Sequence, residues 1–176
     1  MIEFRGWPKI SRYTKPMKGV ITEKMDGTNS ALIIQEGELV GCQSRKRLIK
    51  PGDDNHGFAC WAFENKERLE KLGDGYHYGE WCGPGINGNR HNLDRKSLFL
   101  FSWYRDDREN HIANDLQFVR VLHEGDITGD VITQAMETLA DTVEYSAEGI
   151  VIYYYDSKYF QKHTFENPEG KWKLDE

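Results

Sequence analysis

The chain has 176 residues, a length that suits one globular domain with its own hydrophobic core. Charged residues make up 30% and aromatic residues 12% of the sequence, which excludes an intrinsically disordered chain, and the net charge of −6 weighs against a broadly basic nucleic-acid-binding protein. No apolar run approaches the roughly 20 residues that cross a bilayer, and the N-terminus lacks the plan of a secretion signal. The three cysteines show neither disulfide nor zinc spacing, so we expect reduced cysteines, a cytoplasmic location and no membrane partner.

Most of the chain is predicted to form short strands joined by turns. The segments 31–35 and 39–43 flank the turn Glu36-Gly37-Glu38 and are typical of a β-hairpin. β-Branched and aromatic residues predict further strands over 76–81, 97–104, 118–122 and 149–155.

Two segments are predicted to be helical. The first covers 61–72 and ends at Gly73, and the second covers 130–139 with Asp130 as its N-cap. The fold class that follows is α+β, with mainly antiparallel strands in two sheets and flanking helices. We expect residues 1–176 to form a single domain.

The segment Lys24-Met25-Asp26-Gly27-Thr28 carries the strongest chemical signal in the chain. A lysine amine is a nucleophile only after it loses its proton, which burial or nearby cations favour. The glycine allows the backbone to turn closely around a ligand. The pattern Lys-x-Asp-Gly therefore suits a lysine that attacks the α-phosphate of a nucleoside triphosphate. By itself, such a tetrapeptide more often marks a strand end followed by a polar turn.

Five further segments follow Lys24 in a consistent order: Ser44-Arg45-Lys46-Arg47, Tyr78-Gly79-Glu80, Leu98-Phe99-Leu100-Phe101, Glu148-Gly149-Ile150-Val151-Ile152 and Lys171-Trp172-Lys173. With this series the chain resembles the covalent nucleotidyltransferase superfamily of ATP-dependent DNA ligases, RNA ligases and mRNA capping enzymes. It is most similar to RNA ligases of the RNA ligase 2 type, since the other two groups generally carry arginine where this chain has Asn29. The resemblance implies the ATP-grasp-like nucleotidyltransferase fold in an adenylyltransferase domain, with no OB-fold or other C-terminal domain expected in 1–176.

The resemblance also implies catalytic roles. Lys24 would attack the α-phosphorus of ATP, expel pyrophosphate and become lysyl–AMP. Lys171 and Lys173, which strand alternation places on one face, would hold the α-phosphate and favour the uncharged form of Lys24 by like-charge repulsion. Glu148 would hold a magnesium or manganese ion, directly or through water.

Five residues are implied to contact the nucleotide: Glu23, Asn29, Arg45, Glu80 and Phe101. Glu23 would lie near the adenine, Arg45 at the ribose or a phosphate, and Glu80 at a ribose hydroxyl. Phe101 would stack on the purine. Lys46 or Arg47 are alternatives to Arg45, and Phe99 is the alternative to Phe101.

The activity implied is that of an ATP-dependent RNA ligase, which joins RNA ends carrying a 5′-phosphate and a 3′-hydroxyl, with a nicked duplex as one form of substrate. A helper protein is one way to supply substrate binding. The alternatives are a minimal DNA ligase, a guanylyltransferase, a nucleotide-binding or adenylylating module that does not seal strands, and a structural protein with coincidental motif matches.

Overall fold

The computed structural model of the chain describes residues 16–102 and 116–167. Within these ranges the strands are β1 (Met17–Glu23), β2 (Thr28–Gln35), β3 (Glu38–Ser44), β4 (Leu48–Ile49), β5 (Gly75–Cys82), β6 (Ser97–Leu100), β7 (Gln117–Phe118), β8 (Val121–Ile127), β9 (Gly149–Tyr154) and β10 (Tyr159–Thr164). The helices are α1 (Phe58–Glu64), α2 (Lys66–Leu69), a 3-10 turn (Glu70–Leu72) and α3 (Gly129–Thr142). None of these helices has the length and apolar character that a bilayer crossing requires.

The strands form two sheets. One has the order β10-β9-β1-β8 and is antiparallel throughout. The other has the order β4-β3-β2-β5-β6-β7, and its pairs are antiparallel except for the parallel pair of β6 and β7. The predicted α+β class with mainly antiparallel sheets is therefore confirmed.

Each sheet is covered by helices on one face, because its strands alternate apolar residues toward that face. Behind the six-stranded sheet, α1 and α2 pack into a core that includes Leu32, Phe58, Leu69, Trp81 and Leu100. Behind the four-stranded sheet, α3 packs into a core that includes Ile21, Leu139, Ile150 and Ile152. The uncovered faces of the two sheets are left to line a cleft.

The predicted elements differ from the observed ones at three places. The predicted helix 61–72 is broken at Asn65, whose Nδ2 donates to the carbonyl of Trp61 (2.8 Å) and whose backbone leaves the helical region. Thr128, not Asp130, caps α3, because its side chain accepts from the backbone N–H of Val131. The predicted strand 118–122 is divided between β7 and β8, which belong to different sheets.

Among the other predictions, one is confirmed and one extends beyond the residues that the structure describes. The hairpin of β2 and β3 is confirmed, and the three cysteines are free. The predicted strand 97–104 is observed as β6, which ends at Leu100, and residues 103–104 lie outside the described residues. Strands β1, β4 and β10 were not predicted as such.

Gly149 is required where β9 begins beside β10. Its φ of +147° is rare for other residues, and an added Cβ would lie 2.1 Å from the carbonyl oxygen of His163. We expect Gly149→Ala to lower the free energy of unfolding by at least about 2 kcal/mol, since overpacking alone costs about 1–3 kcal/mol. Urea denaturation measures this change.

Gly37→Ala is the matched control. Gly37 also has a positive φ (+79°), but no atom lies within 4 Å of the position of an added Cβ. Gly37→Ala is expected to lower the free energy of unfolding by only about 1 kcal/mol, because only the backbone conformation is affected. Equal losses in the two variants would contradict the steric explanation at Gly149.

Candidate active site

A cleft of about 510 Å³ lies between the uncovered faces of the two sheets. Strands β1, β9 and β10 form one wall, and β2, β5 and the segment after β6 form the other. The residues that line it are Val20, Thr22, Glu23, Lys24, Met25, Asn29, Tyr76, Tyr78, Glu80, Phe101, Ser102, Val151, Tyr153 and Phe160. This volume and the largely apolar lining with a few convergent polar groups are typical of a small-molecule site.

Lys24 lies directly after β1, where the four-stranded sheet holds its backbone and its side chain. Its N–H donates to the carbonyl of Gly149 (2.8 Å), and its Nζ donates to Oε2 of Glu148 (2.6 Å). The two side chains are only 21% and 23% exposed. The sheet thus brings together the predicted nucleophile and the predicted metal ligand.

Glu80 and Asn29 occupy the opposite wall of the cleft. They pair across β2 and β5, and Nδ2 of Asn29 donates to Oε2 of Glu80 (3.0 Å). Burial raises the pKa of Glu80 to about 7; Lys24 counteracts this effect, while Glu148 adds to it. A buried carboxyl group with such a pKa, near a lysine in a cleft, is characteristic of functional sites.

Aromatic side chains make up much of the cleft lining. Phe101 lies on one wall, where its backbone N–H donates to the carbonyl of Tyr78 (2.9 Å). Tyr76 and Tyr78 stack beside it with ring centroids 6.2 Å apart. On the other wall, the rings of Tyr153 and Phe160 lie 4.7 Å apart. The cleft therefore suits a planar ring such as a purine base.

Sequence reasoning missed these flanking aromatic residues. The alternation along β5 was a usable signal, because it places Tyr76, Tyr78 and Glu80 on one face. Tyr153 was predicted only as part of the strand 149–155, and Phe160 lies on the unpredicted strand β10. Their position in the cleft depends on the pairing of β9 with β10.

The remaining predicted site residues lie elsewhere or outside the described chain. Glu23 borders the cleft, but its side chain is 3% exposed, and its Oε1 accepts from the hydroxyl of Tyr145 (2.5 Å) and lies 3.2 Å from Nε2 of His91. Arg45 is exposed in the turn after β3 and is not part of the cleft lining. Lys171 and Lys173 lie outside the described residues. The nucleotide contacts assigned to these residues stay predictions.

The loop between β5 and β6 contacts residues on both sides of Lys24. Nδ2 of Asn87 donates to Oδ1 of Asp26 (2.8 Å) and to the carbonyl of Gly27 (2.9 Å). Nε of Arg90 lies 3.4 Å from Oδ2 of Asp26, and His91 contacts Glu23. This loop, which sequence reasoning left unassigned, thus holds the backbone on both sides of the predicted nucleophile.

Gly27 is needed for packing against a strand. A Cβ at this position would lie 2.5 Å from the carbonyl oxygen of Trp81 and 2.6 Å from Sγ of Cys82. The sequence interpretation attributed this glycine to close approach of a nucleotide. The structure shows that the close approach is to the end of β5.

The family of the chain follows from its sequence. The family model described as RNA ligase matches residues 18–173, nearly the whole chain. The chain belongs to the RNA ligase family. The resemblance drawn from the ordered motifs is therefore confirmed. No curated protein shows a significant match.

Solved RNA ligases share the fold of this RNA ligase family member. A variant of the Naegleria gruberi RNA ligase with ATP and manganese has a TM-score of 0.61 at 22% identity. The same ligase with pyrophosphate has a TM-score of 0.60 at 23% sequence identity, and another variant with AMP and manganese has a TM-score of 0.60 at 21% identity. Each match covers 85% of this chain but 50% of the solved chain, so the chain spans about half the length of these ligases. At this identity the similarity concerns the fold.

We expect Asn87→Ala to slow any reaction of Lys24, because it removes two hydrogen bonds that hold the adjacent Asp26-Gly27 turn. Hydrogen bonds contribute about 1 kcal/mol each, so the loss of both corresponds to about 2 kcal/mol, and the rate of covalent labelling by saturating ATP should fall by up to about 30-fold. Asn92→Ala is the matched control: both asparagines have left-handed backbones (φ 46° and 49°), and Asn92 is exposed. Equal rates in the two variants would show that the contact with the turn has no effect on Lys24.

The raised pKa of Glu80 predicts a pH-dependent stability. Between its ordinary value of 4.5 and about 7, the folded protein retains a proton on Glu80 that the unfolded chain releases. The free energy of unfolding should therefore fall as the pH rises through this range, and Glu80→Gln should remove that contribution. Urea denaturation without nucleotide, at several pH values, measures the free energy of unfolding of the parent protein and of Glu80→Gln. An identical pH dependence in the two would contradict the assignment.

Proposed function

We propose that the chain is the nucleotidyltransferase part of an ATP-dependent RNA ligase, in which Lys24 forms a covalent lysyl–AMP. The observation that carries this proposal is the convergence of Lys24, Glu148, Glu80 and Phe101 at one cleft, in a chain of the RNA ligase family. The structures of the Naegleria gruberi ligase with ATP, pyrophosphate and AMP support the same chemistry, since ATP is the substrate and pyrophosphate a product of the proposed first step, and AMP is the group that this step would transfer to Lys24.

In the proposed first step, the deprotonated Nζ of Lys24 forms a bond to the α-phosphorus of ATP, and the bond to the bridging oxygen of pyrophosphate breaks. The proton leaves Nζ before or during the attack, and pyrophosphate departs with the electron pair. Phe101 would stack on the adenine, a contact worth about 1–3 kcal/mol. Glu80, once ionised, would accept a hydrogen bond from a ribose hydroxyl.

The residues present fit a divalent cation held jointly with the nucleotide. Across the described ranges, no cluster of three or more His, Cys, Asp or Glu side chains is arranged to hold a metal ion. Magnesium in nucleotide sites is commonly held by one or two carboxylates together with substrate phosphates, and Glu148 supplies such a carboxylate beside Lys24. When bound, the ion would neutralise charge on the phosphate oxygens.

The later proposed steps use a polynucleotide. The 5′-phosphate of an RNA strand attacks the phosphorus of lysyl–AMP, so that the P–N bond to Lys24 breaks and an RNA–adenylate forms. A 3′-hydroxyl then attacks the phosphorus of the RNA 5′-phosphate and AMP leaves, which joins the strands. We propose RNA ends, including those at a nick in a duplex, as substrates, with a helper protein as a further source of substrate affinity.

The proposal predicts that Lys24→Ala abolishes covalent labelling. The protein would be incubated with magnesium and ATP or GTP labelled at the α-phosphate, and then run on a denaturing gel. We expect a label from ATP, dependence on the divalent cation, and release of the label by pyrophosphate. Lys18→Ala is the matched control, because Lys18 lies on β1, the strand that leads to Lys24, but is exposed and paired with Asp126.

The alternatives give different results. A label retained in Lys24→Ala would show that another residue is the nucleophile. Preferential labelling by GTP would indicate a guanylyltransferase. If a folded protein takes up no label from either nucleotide, the covalent mechanism fails and a nucleotide-binding module without transferase activity is left.

A further inference from the structure

A second cleft of about 550 Å³ lies between α1, α2 and the start of β6. It is on the helix-covered side of the six-stranded sheet, because its wall includes Trp81, whose side chain points away from the nucleotide cleft. Among the residues that the structure describes, the cationic side chains of Arg68, Arg95 and Lys96 line it, and Glu64 is the acidic one. In a chain with a net charge of −6, this local excess of positive charge on the described lining suits an anionic ligand.

The cations of this second cleft are partly pre-organised. The guanidinium of Arg68 lies over the ring of Trp61 (5.8 Å), and its Nη2 donates to Oδ1 of Asn65 (3.1 Å). Nζ of Lys96 donates to the carbonyl of His56 (2.8 Å). Arg95 is exposed and makes no hydrogen bond or ion pair with the part of the chain that the structure describes. Its planar set of donors is therefore available for phosphate oxygens.

The second cleft lies at the same end of the six-stranded sheet as the nucleophile. The first residue of β6, Ser97, pairs with Cys82. The neighbour of Cys82 on β5, Trp81, pairs with Thr28, which is the last residue of the Lys24 motif. Nδ2 of Asn55 donates to Oγ1 of Thr28 (2.9 Å), and the next residue, His56, lines the second cleft. A polymer passing around this end of the sheet could contact both sites, which a mononucleotide is too short to do.

We propose that the second cleft binds the sugar–phosphate backbone of the RNA strand whose end reacts at Lys24. Arg95 and Lys96 contact phosphate oxygens, and Arg68 on Trp61 supports them. The inference rests on the proposed RNA ligase function and adds a substrate subsite to it. The subsite contributes to RNA binding. It is not needed for formation of lysyl–AMP, because it lies on the opposite face of the sheet from the nucleotide cleft.

The test compares two double variants with the parent protein. Arg95→Gln with Lys96→Gln removes two cations from the second cleft. Lys66→Gln with Lys158→Gln removes two exposed cations that do not line it, so the two variants carry equal net charge. Binding of a short 5′-phosphorylated RNA single strand is measured by fluorescence anisotropy at several salt concentrations, and lysyl–AMP formation is measured separately.

We expect the cleft double variant to bind RNA several-fold more weakly at low salt. The slope of log affinity against log salt should become shallower by about 0.7 for each RNA phosphate that the variant no longer neutralises. The control double variant should keep the parent's slope, and both should form lysyl–AMP at the parent's rate, which also shows that they are folded. Arg95→Gln alone, at an exposed site, should give the smaller change that corresponds to one phosphate.

Two results of the RNA titrations would overturn the inference: equal salt slopes in the two double variants, or RNA binding by the parent protein that does not depend on salt. A third comes from titration with inorganic tripolyphosphate. The inference fails if the cleft double variant loses tripolyphosphate binding but keeps its RNA binding. That result would assign the site to a free polyphosphate. Failure of the proposed function looks different, because the parent itself would then form no lysyl–AMP whatever the RNA titrations show.

Discussion

The ion pair between Lys24 and Glu148 is the contact around which the site is built. It joins two side chains that are 124 residues apart in sequence, and it forms because β1 and β9 are adjacent in the four-stranded sheet. A backbone hydrogen bond joins the same two segments, because the N–H of Lys24 donates to the carbonyl of Gly149. Both residues lie at the ends of their strands, so the sheet fixes their positions, and Lys24 lines the cleft while Glu148 contacts its Nζ.

The cleft exists because each sheet has a helix-covered face and an uncovered face. The helices bury the apolar side chains of one face, and the other face is left to meet the opposite sheet. The residues on the uncovered faces are polar at the end near Lys24 and aromatic toward Tyr76 and Phe160. This gradient matches a nucleotide, which is an anion at one end and a planar ring at the other, and the fit supports the proposed use of ATP.

Carboxylates outnumber cations close to Lys24 among the described residues. Glu148 contacts Nζ directly, and Asp26, Glu148 and Lys24 all influence the charge of Glu80 across the cleft. Triphosphate entering this region meets repulsion from these groups, which a divalent cation would offset under the proposed mechanism. Asn87 and Arg90 hold Asp26, one of these carboxylates, in place beside the Lys24 backbone.

The local sequence determined the family motifs and much of the secondary structure. The Lys24 motif, the hairpin of β2 and β3 and the α+β class could be predicted because they depend on side-chain identity, short-range turns and alternation. Tertiary structure decided what depends on pairing between distant strands. It placed Phe160 and Tyr153 in the cleft, turned the carboxylate of Glu23 toward Tyr145, and divided the predicted strand 118–122 between two sheets. The physical reason is that hydrogen bonds between strands far apart in sequence leave no local pattern, so only the folded chain shows which faces meet.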